Sequence, residues 1–479
     1  MALRCTRLLV LLLTGLTLAA CVSSGSNLDK AKIDESLNIP ESFEEPGSET
    51  YAGRWWEAFG SQELNALIES MIGNNYQIAG SYERLKALQA ALGITNADRF
   101  PSVSASAKAS DNNSEDIRGD RAWREGYEIS VSASYEVDLW GRIKAGIDSD
   151  RYEILSGRYD LETLYMSLTS ELTDRYFLYK TLASSLKLQK EQLELREKQI
   201  TALKMMYSSG VGALDSIYLK QTATANLMES MTETRQSMQS AKRQIAMLIG
   251  ESDPNRLDIS DAYDIKIPAL PSVIPSEIAE KRPDIRSAYA EVLKTDRDKA
   301  QAMANRYPKL SFSASAGYSG NAIQSLMTPE NFVANLVGNL VMPLFDGDKR
   351  KLQVESQKYL LASKIYSYYQ TVLGALNEVG ASLSDNVQNE QALRLSSEKV
   401  KIEEKRLKIA EMKYEMGIKD YSEVIENKIS LLSGWMAEIN ARRLLISSRV
   451  ELVRAAGGGW AGEIVDERFT RTTASQENN

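Results

Sequence analysis

The residues able to do chemistry are few. Histidine is absent from all 479 positions. That removes the commonest general base, metal ligand and pH switch together. No nucleophile elbow or phosphate-cradling loop takes its place. The 15 methionines form no dense cluster, so a methionine-lined copper path is not supported. No enzyme activity, metal or cofactor is expected. Two cysteines occur, Cys5 and Cys21. Cys21 follows Leu18-Ala19-Ala20, and small residues before a cysteine are what a signal peptidase needs. Glu423 and Glu426 lie three apart, on one face of any helix that carries them.

These groups sit in a mildly acidic chain with a formal net charge of −8. A generic nucleic-acid binder would be basic, so no nucleic-acid partner is expected. Arg4 and Arg7 begin a basic segment, and Leu8 to Ala20 is apolar but too short to cross a membrane comfortably. The tetrad ending at Cys21 resembles the lipobox of bacterial lipoproteins. The resemblance implies that Cys21 becomes the acylated first residue of the mature chain. Val22, in place of Asp, implies sorting to the outer membrane. The plainer alternative is an ordinary secretory signal cleaved beside a cysteine. Beyond residue 20 no run of 18 apolar residues occurs, so no helical membrane span is expected.

The elements that must position Glu423 and Glu426 are long. From Arg142 to Tyr207 the residues Tyr165, Leu172, Tyr179, Leu186, Leu193, Ile200 and Tyr207 fall seven apart. Leu161, Leu168, Leu182 and Leu203 keep a second track, broken by Arg175, Gln189 and Arg196. This is an a/d seam. About 65 helical residues make a rod of roughly 100 Å. Before it, Ser102 to Ser110 and Tyr127 to Val137 alternate small polar with apolar residues, separated by an acidic, polar loop. That is the period of membrane-barrel strands with one wet face and one lipid face. Tyr127, Tyr135, Tyr318, Trp140 and Phe345 are placed for an aromatic girdle, or for ordinary packing. Gly210-Val211-Gly212 ends the rod, and a second helix follows from about Leu214 to Ile249.

The chain then starts over at a fixed interval of 207 residues. Tyr82, Pro101, Tyr207 and Gly210 have counterparts in Tyr289, Pro308, Tyr414 and Gly417. The expected division is a signal peptide at 1–20 and a lipidated tether with an equatorial segment at 21–60. The first repeat is 61–250, with strands near 101–140 and long helices near 141–250. A connector occupies 251–275. The second repeat is 276–456, with strands near 308–345 and long helices near 348–456. A tail covers 457–479. A duplication of this kind outranks any local motif as a fold signal. The fold class expected is mainly α with a transmembrane β-barrel portion, each half being helix, strand, strand, long helix and helix. Four strands per chain cannot close a barrel, and open edges cannot face lipid. Several copies must therefore contribute, and three would give twelve strands above a helical tube.

This order resembles the outer-membrane efflux factor family of TolC-like channels, and within it the NodT-like lipoprotein branch that serves efflux pumps. Trp55-Trp56, Arg282-Pro283-Asp284-Ile285 and Gly457-Gly458-Gly459-Trp460 look like recurrent stretches of that branch. The resemblance implies a homotrimeric outer-membrane channel that extends through the periplasm. Its partners would be outer-membrane lipid, a periplasmic adaptor (membrane fusion protein) and an inner-membrane pump of the resistance-nodulation-division type. Gating would be an iris-like dilation of the periplasmic helix ends. Carried over by position, Tyr414 and Lys419 would belong to a closing latch, and Glu423 and Glu426 would form acidic rings that favour cations. Where well-known members have an aspartate to meet the latch, this chain has Ser216 with Asp215 before it. The latch would use Asp215, or be looser. Gly210, Val211 and Gly212, with Met416, Gly417 and Ile418, would be the adaptor-docking tips. Each of these residues could instead be an ordinary helix-end residue. The rival functions are the outer-membrane channel of a type I protein secretion system and, in another class, a periplasmic adaptor lipoprotein.

Overall fold

The computed structural model describes residues 28, 30–35, 37, 53–115, 121–260, 266–269, 278, 281–457 and 460–467. Cys21, the signal segment, most of the tether and part of the connector lie outside the described residues. In chain order the helices are α1 (Lys30–Glu35), α2 (Gln62–Asn74), α3 (Tyr76–Ala97), α4 (Arg142–Ser208), α5 (Leu214–Leu248), α6 (Pro283–Ala304), α7 (Lys349–Glu415) and α8 (Tyr421–Ala456). The strands are β1 (Ser102–Glu115), β2 (Arg121–Val137), β3 (Lys309–Gly320) and β4 (Phe332–Val341). Helices α3, α4 and α5 begin 207 residues before α6, α7 and α8, and α4 and α7 each run 67 residues. The duplication is therefore present in the elements themselves. No helix among the described residues is long and apolar enough to cross a membrane.

The described residues form two compact units. One contains Glu83–Arg158 and Ser287–Gln370, with the chain up to Asn38. Its centre is an antiparallel sheet in the order β1-β2-β3-β4. The register puts Val103, Ala133, Ala314 and Leu336 in one row, and Ser104, Ser132, Ser315 and Asn335 in the adjacent row of the opposite face. Hydroxyls meet across β1 and β2 at Ser102–Ser134, Ser104–Ser132 and Ser106–Ser130, 2.8 to 3.0 Å apart. Alternation thus sorts the sheet into a hydroxyl-rich face and an apolar face. The β1–β2 hairpin reaches further than its sequence signal. Asp111 to Glu115 pair with Arg121 to Glu125, where a loop is expected. Both faces are mostly polar there, so the period-two contrast disappears while the backbone ladder continues. Trp140 stacks on Tyr307 at 4.9 Å and its indole N–H donates to the Pro308 carbonyl at 2.7 Å, joining the end of one hairpin to the start of the other.

The second unit contains Ile39–Tyr82, Tyr159–Arg286 and Thr371–Asn479. An aromatic cluster holds its entry segment: Trp56 meets Trp460 at 4.8 Å, and Phe59 meets Phe177 at 4.9 Å. Trp55, Trp56 and Phe59 are all buried. Such edge-on and tilted ring pairs add to the burial of large apolar area. Beside them Glu63 accepts from Lys180 (2.7 Å), the Ser260 N–H (2.7 Å) and the Tyr176 hydroxyl (2.7 Å).

One joint is built twice in this unit. Asn75 accepts from the N–H groups of Gln77 and Ile78, which begin α3, and its amide donates to the Leu248 carbonyl at 2.8 Å. At the position 207 residues later, Arg282 donates to the Ala455 carbonyl at 3.0 Å, to Glu378 at 2.9 Å, and by two bonds to Asp284. Gly250 and Gly457 serve the two joints with φ of +75° and +72°. A Cβ at Gly250 would lie 2.6 Å from the Asn74 carbonyl oxygen, and one at Gly457 would lie 2.6 Å from Arg282 Cγ. Arg282-Pro283-Asp284 and Gly457 are therefore one clamp, and the two tryptophans of Trp55-Trp56 with Trp460 are one core.

Candidate functional site

Hydrogen bonds across the second unit give the lateral order of its helices. Asn386 on α7 donates to the Ser448 carbonyl on α8 at 2.8 Å. Gln192 on α4 donates to Ser433 on α8 at 2.8 Å, and Gln189 on α4 to Ser230 on α5 at 3.2 Å. The order is α7-α8-α4-α5, with α7 and α5 at the two edges. Toward the turns an apolar cluster lies between α4 and α8: Leu195, Ile425 and Leu432 are buried, with Leu188, Ile429 and Trp435 against them. The equivalents of Leu188 and Leu195 on α7 are Leu395 and Ile402, and both are exposed. Ile409 and Met416 continue that stripe at seven-residue spacing, also exposed. On α5, Tyr218 and Met228 stand at the equivalents of Ile425 and Trp435 and are exposed as well.

Each half ends its long helix in the same glycine turn. Gly210 has φ +79° and Gly417 has φ +70°, a region open to glycine at little cost. The Val211 N–H donates to the Met206 carbonyl at 3.0 Å, and the Ile418 N–H to the Lys413 carbonyl at 2.9 Å. These six-to-one bonds close a Schellman turn in both halves. Gly210, Val211, Met416, Gly417 and Ile418 are exposed, and Gly212 is half-buried.

The charged residues gather at the second turn. Glu423 lies 3.5 Å from Lys419 and 3.7 Å from Lys413. Glu426 lies 2.7 Å from Lys220 on α5 and accepts from Gln199 on α4 at 3.1 Å. Gln199 also donates to Ser422, while its own side-chain oxygen is buried without a partner. Tyr414 packs on Tyr421, with ring centroids 5.1 Å apart. Within one chain the structure brings Lys419 and Glu423 together, but Tyr414 meets Tyr421 and not Lys419. Asp215 is exposed and Ser216 half-buried, and neither side chain has a hydrogen bond or ion pair among the described residues. Each carboxylate of the expected acidic pair carries a cation from its own chain, which lowers the net charge it presents. Lys220, Gln199 and Lys413 escape a local reading. All three come from helices other than α8, Lys413 from across the turn on α7, and their only sequence signal is helical spacing toward the tip.

Comparison with known proteins bears on what this arrangement is for. The profile of the outer membrane efflux protein family matches residues 67–251 and 274–458, two spans that begin 207 residues apart. The pyoverdine export outer membrane protein OpmQ of Pseudomonas aeruginosa is 24% identical over 419 residues, covering 86% of this chain and 88% of that protein. The probable outer membrane lipoprotein SilC of Salmonella typhimurium is 20% identical over 448 residues, covering 92% and 96%. The solved structure of the outer-membrane channel OprN superposes with a TM-score of 0.82 at 23% identity, covering 92% of this chain and all of that one.

Proposed function

The chain belongs to the outer membrane efflux protein family, and from that premise we propose that three copies form the exit duct of a tripartite efflux assembly. As a member of the family it is an efflux channel of the outer membrane. The proposal concerns how it is assembled and operated.

The observation that carries it is the pair of unlike open edges. The sheet ends in β1 and β4, and the helical order ends in α5 and α7. Unpaired strand edges cannot face lipid. The exposed stripe Leu395, Ile402, Ile409 and Met416 needs a cover of the kind that Leu188 and Leu195 already have within the chain. The duplication supplies that cover: Tyr218 and Met228 of a second copy, at the places of Ile425 and Trp435. Head-to-tail contacts of this sort close into a ring when the rotation permits. Three copies bring the strand number to twelve, enough for a barrel with a lumen. In detergent, the double variant Ile402→Cys and Tyr218→Cys should oxidise to a covalent trimer, whereas either single variant stays monomeric under denaturing conditions. A monomer from the double variant would sink the ring.

The glycine turns are then the periplasmic tips that meet an adaptor, which in turn couples to an inner-membrane pump of the resistance-nodulation-division type. Lys419, Tyr414, Glu423 and Glu426 form the closing contacts, with Lys413, Lys220 and Gln199 added to them. Exposed Asp215 and half-buried Ser216 are available to a neighbouring copy. Cys21 carries the lipid anchor, a reading supported by the apolar leader before it and by the lipoprotein relative. The matched relatives include proteins named for export of pyoverdine and for efflux of solvents. The duct passes whatever its pump delivers. A deletion strain that gains drug sensitivity with an unchanged secretome fits this role. The reverse result would make it a protein-secretion conduit.

A further inference from the structure

A polar cleft of about 400 Å³ lies between α4 and α8, lined by residues of those two helices alone. Asp174 sits in it, and one carboxylate oxygen accepts from the Ser447 hydroxyl of α8 at 3.0 Å. The charged groups around it are Glu171 and Arg175 from α4, and Arg443, Glu451 and Arg454 from α8. Three carboxylates face three guanidinium groups, yet they are poorly matched into pairs. Arg175 reaches Glu171 only at 3.9 Å, and its Nε is buried without a partner. Among the described residues no ion pair reaches Arg443, Arg454 or Glu451. Structural salt bridges usually settle into closer pairs than these.

The cluster is also absent from the other half. Asp174, Arg175, Arg443, Glu451 and Arg454 correspond, at 207 residues, to Ala381, Ser382, Gln236, Gln244 and Met247. Only Glu171 keeps its type, in Glu378, which is bound to Arg282. The duplicated scaffold therefore stands without these charges. Resting on the channel reading above, we propose that Asp174 is the proton-sensing member of a tie that draws α4 and α8 together when protonated and lets them part when ionised.

The physical chain is short. Burial opposes the charge on Asp174, the Ser447 hydrogen bond supports it, Glu451 opposes it, and Arg175 and Arg443 support it; the balance pushes the carboxyl up to about 6. Above that pH the closed-up pair must bury a charged carboxylate beside Glu451, a cost that outweighs the hold of Ser447 and Arg443 and that parting relieves by letting water in. Below it that cost ends, and a protonated Asp174 can donate as well as accept. Acid therefore favours the closed-up helix pair. Because α4 and α8 both lead to the turns, acid would also favour the closed channel.

The test uses the full-length protein reconstituted in bilayers, with spin labels at exposed Lys187 and Ala437. The separation of the labels should shorten on acidification, with a midpoint near pH 6. Asp174→Asn should hold the short separation at every pH. Glu451→Gln should lower the midpoint, and Arg443→Gln should raise it, each by roughly 0.5–1 pH unit, the scale of a half-exposed neighbouring charge. The tie is overturned if Asp174→Asn titrates like wild type, or if neither neighbour moves the midpoint. If the asparagine variant does not fold, the two neighbours still decide. Conductance separates the two readings. A protein that never conducts while its labels titrate refutes the channel. One that conducts while its labels ignore pH refutes the tie.

Discussion

The two halves of this chain repeat one backbone and carry two chemistries. At the first turn stand Met206, Val211, Gly212, Leu214 and Leu219. At the same backbone positions of the second turn stand Lys413, Ile418, Lys419, Tyr421 and Glu426. Both turns close with the same carbonyl bonds and the same left-handed glycine. The charges are therefore not required for the turn to form. The joints teach the complement. Asn75 and Arg282 reach equivalent carbonyls, of Leu248 and Ala455, with different side chains. There the contact is kept and the residue is free to change.

Breaking the joints should produce the largest effects and an unequal pair. Arg282→Ala removes a buried guanidinium that serves two carboxylates and a carbonyl, and should cost about 3 kcal/mol. Asn75→Ala loses a cap and one amide bond, and should cost about 1 kcal/mol. Denaturation midpoints in detergent compare them, and equal losses would contradict the reading of the joints. Gly210→Val and Gly417→Val should each cost about 1–2 kcal/mol, since each forces a branched residue into the left-handed region. Here equality is the prediction, because the backbone is shared.

Acid should act on the first half alone at Glu63, whose counterpart position holds Leu270. Burial raises the Glu63 carboxyl, but Lys180, the Ser260 N–H and the Tyr176 hydroxyl outweigh it and hold it below its ordinary 4.5. A depressed carboxyl contributes stability above its unfolded value and loses it as pH falls through the folded one. Hydrogen-exchange protection of α2, corrected for the intrinsic rate, should therefore drop below pH 4.5 and be flat above it. Glu63→Gln should abolish that step. The smallest effect on stability belongs to Lys419→Ala, within about 0.5 kcal/mol because the pair is exposed. It should nonetheless raise single-channel conductance in a planar bilayer. An unaltered closed state would remove Lys419 from the latch.

Much of the fold was legible because its signals are periodic and duplicated. Seven-residue tracks marked α4 and α7, and period-two alternation marked the strands. The 207-residue interval aligns Tyr207 with Tyr414 from the sequence alone. What stayed hidden lacked a period. Asp111 to Glu115 form strand with little contrast between faces. Asn75 and Arg282 share a role but no chemistry, so the interval alone could pair them. Lys220 and Gln199 meet Glu426 only after three helices are laid side by side. Asp174 reads as one more charge on a long helix until Ser447 is placed against it.

The mismatch of the two turns has a consequence for counting. Three chains in a ring would offer six tips with one backbone path, but alternate tips would differ, one kind setting Asp215 beside Val211 and Leu214 and the other gathering Lys413, Lys419 and Glu423. A partner with six identical copies would find two kinds of seat. It could fill all six only by accepting both chemistries with one surface. A partner that recognised either chemistry alone would stop at three.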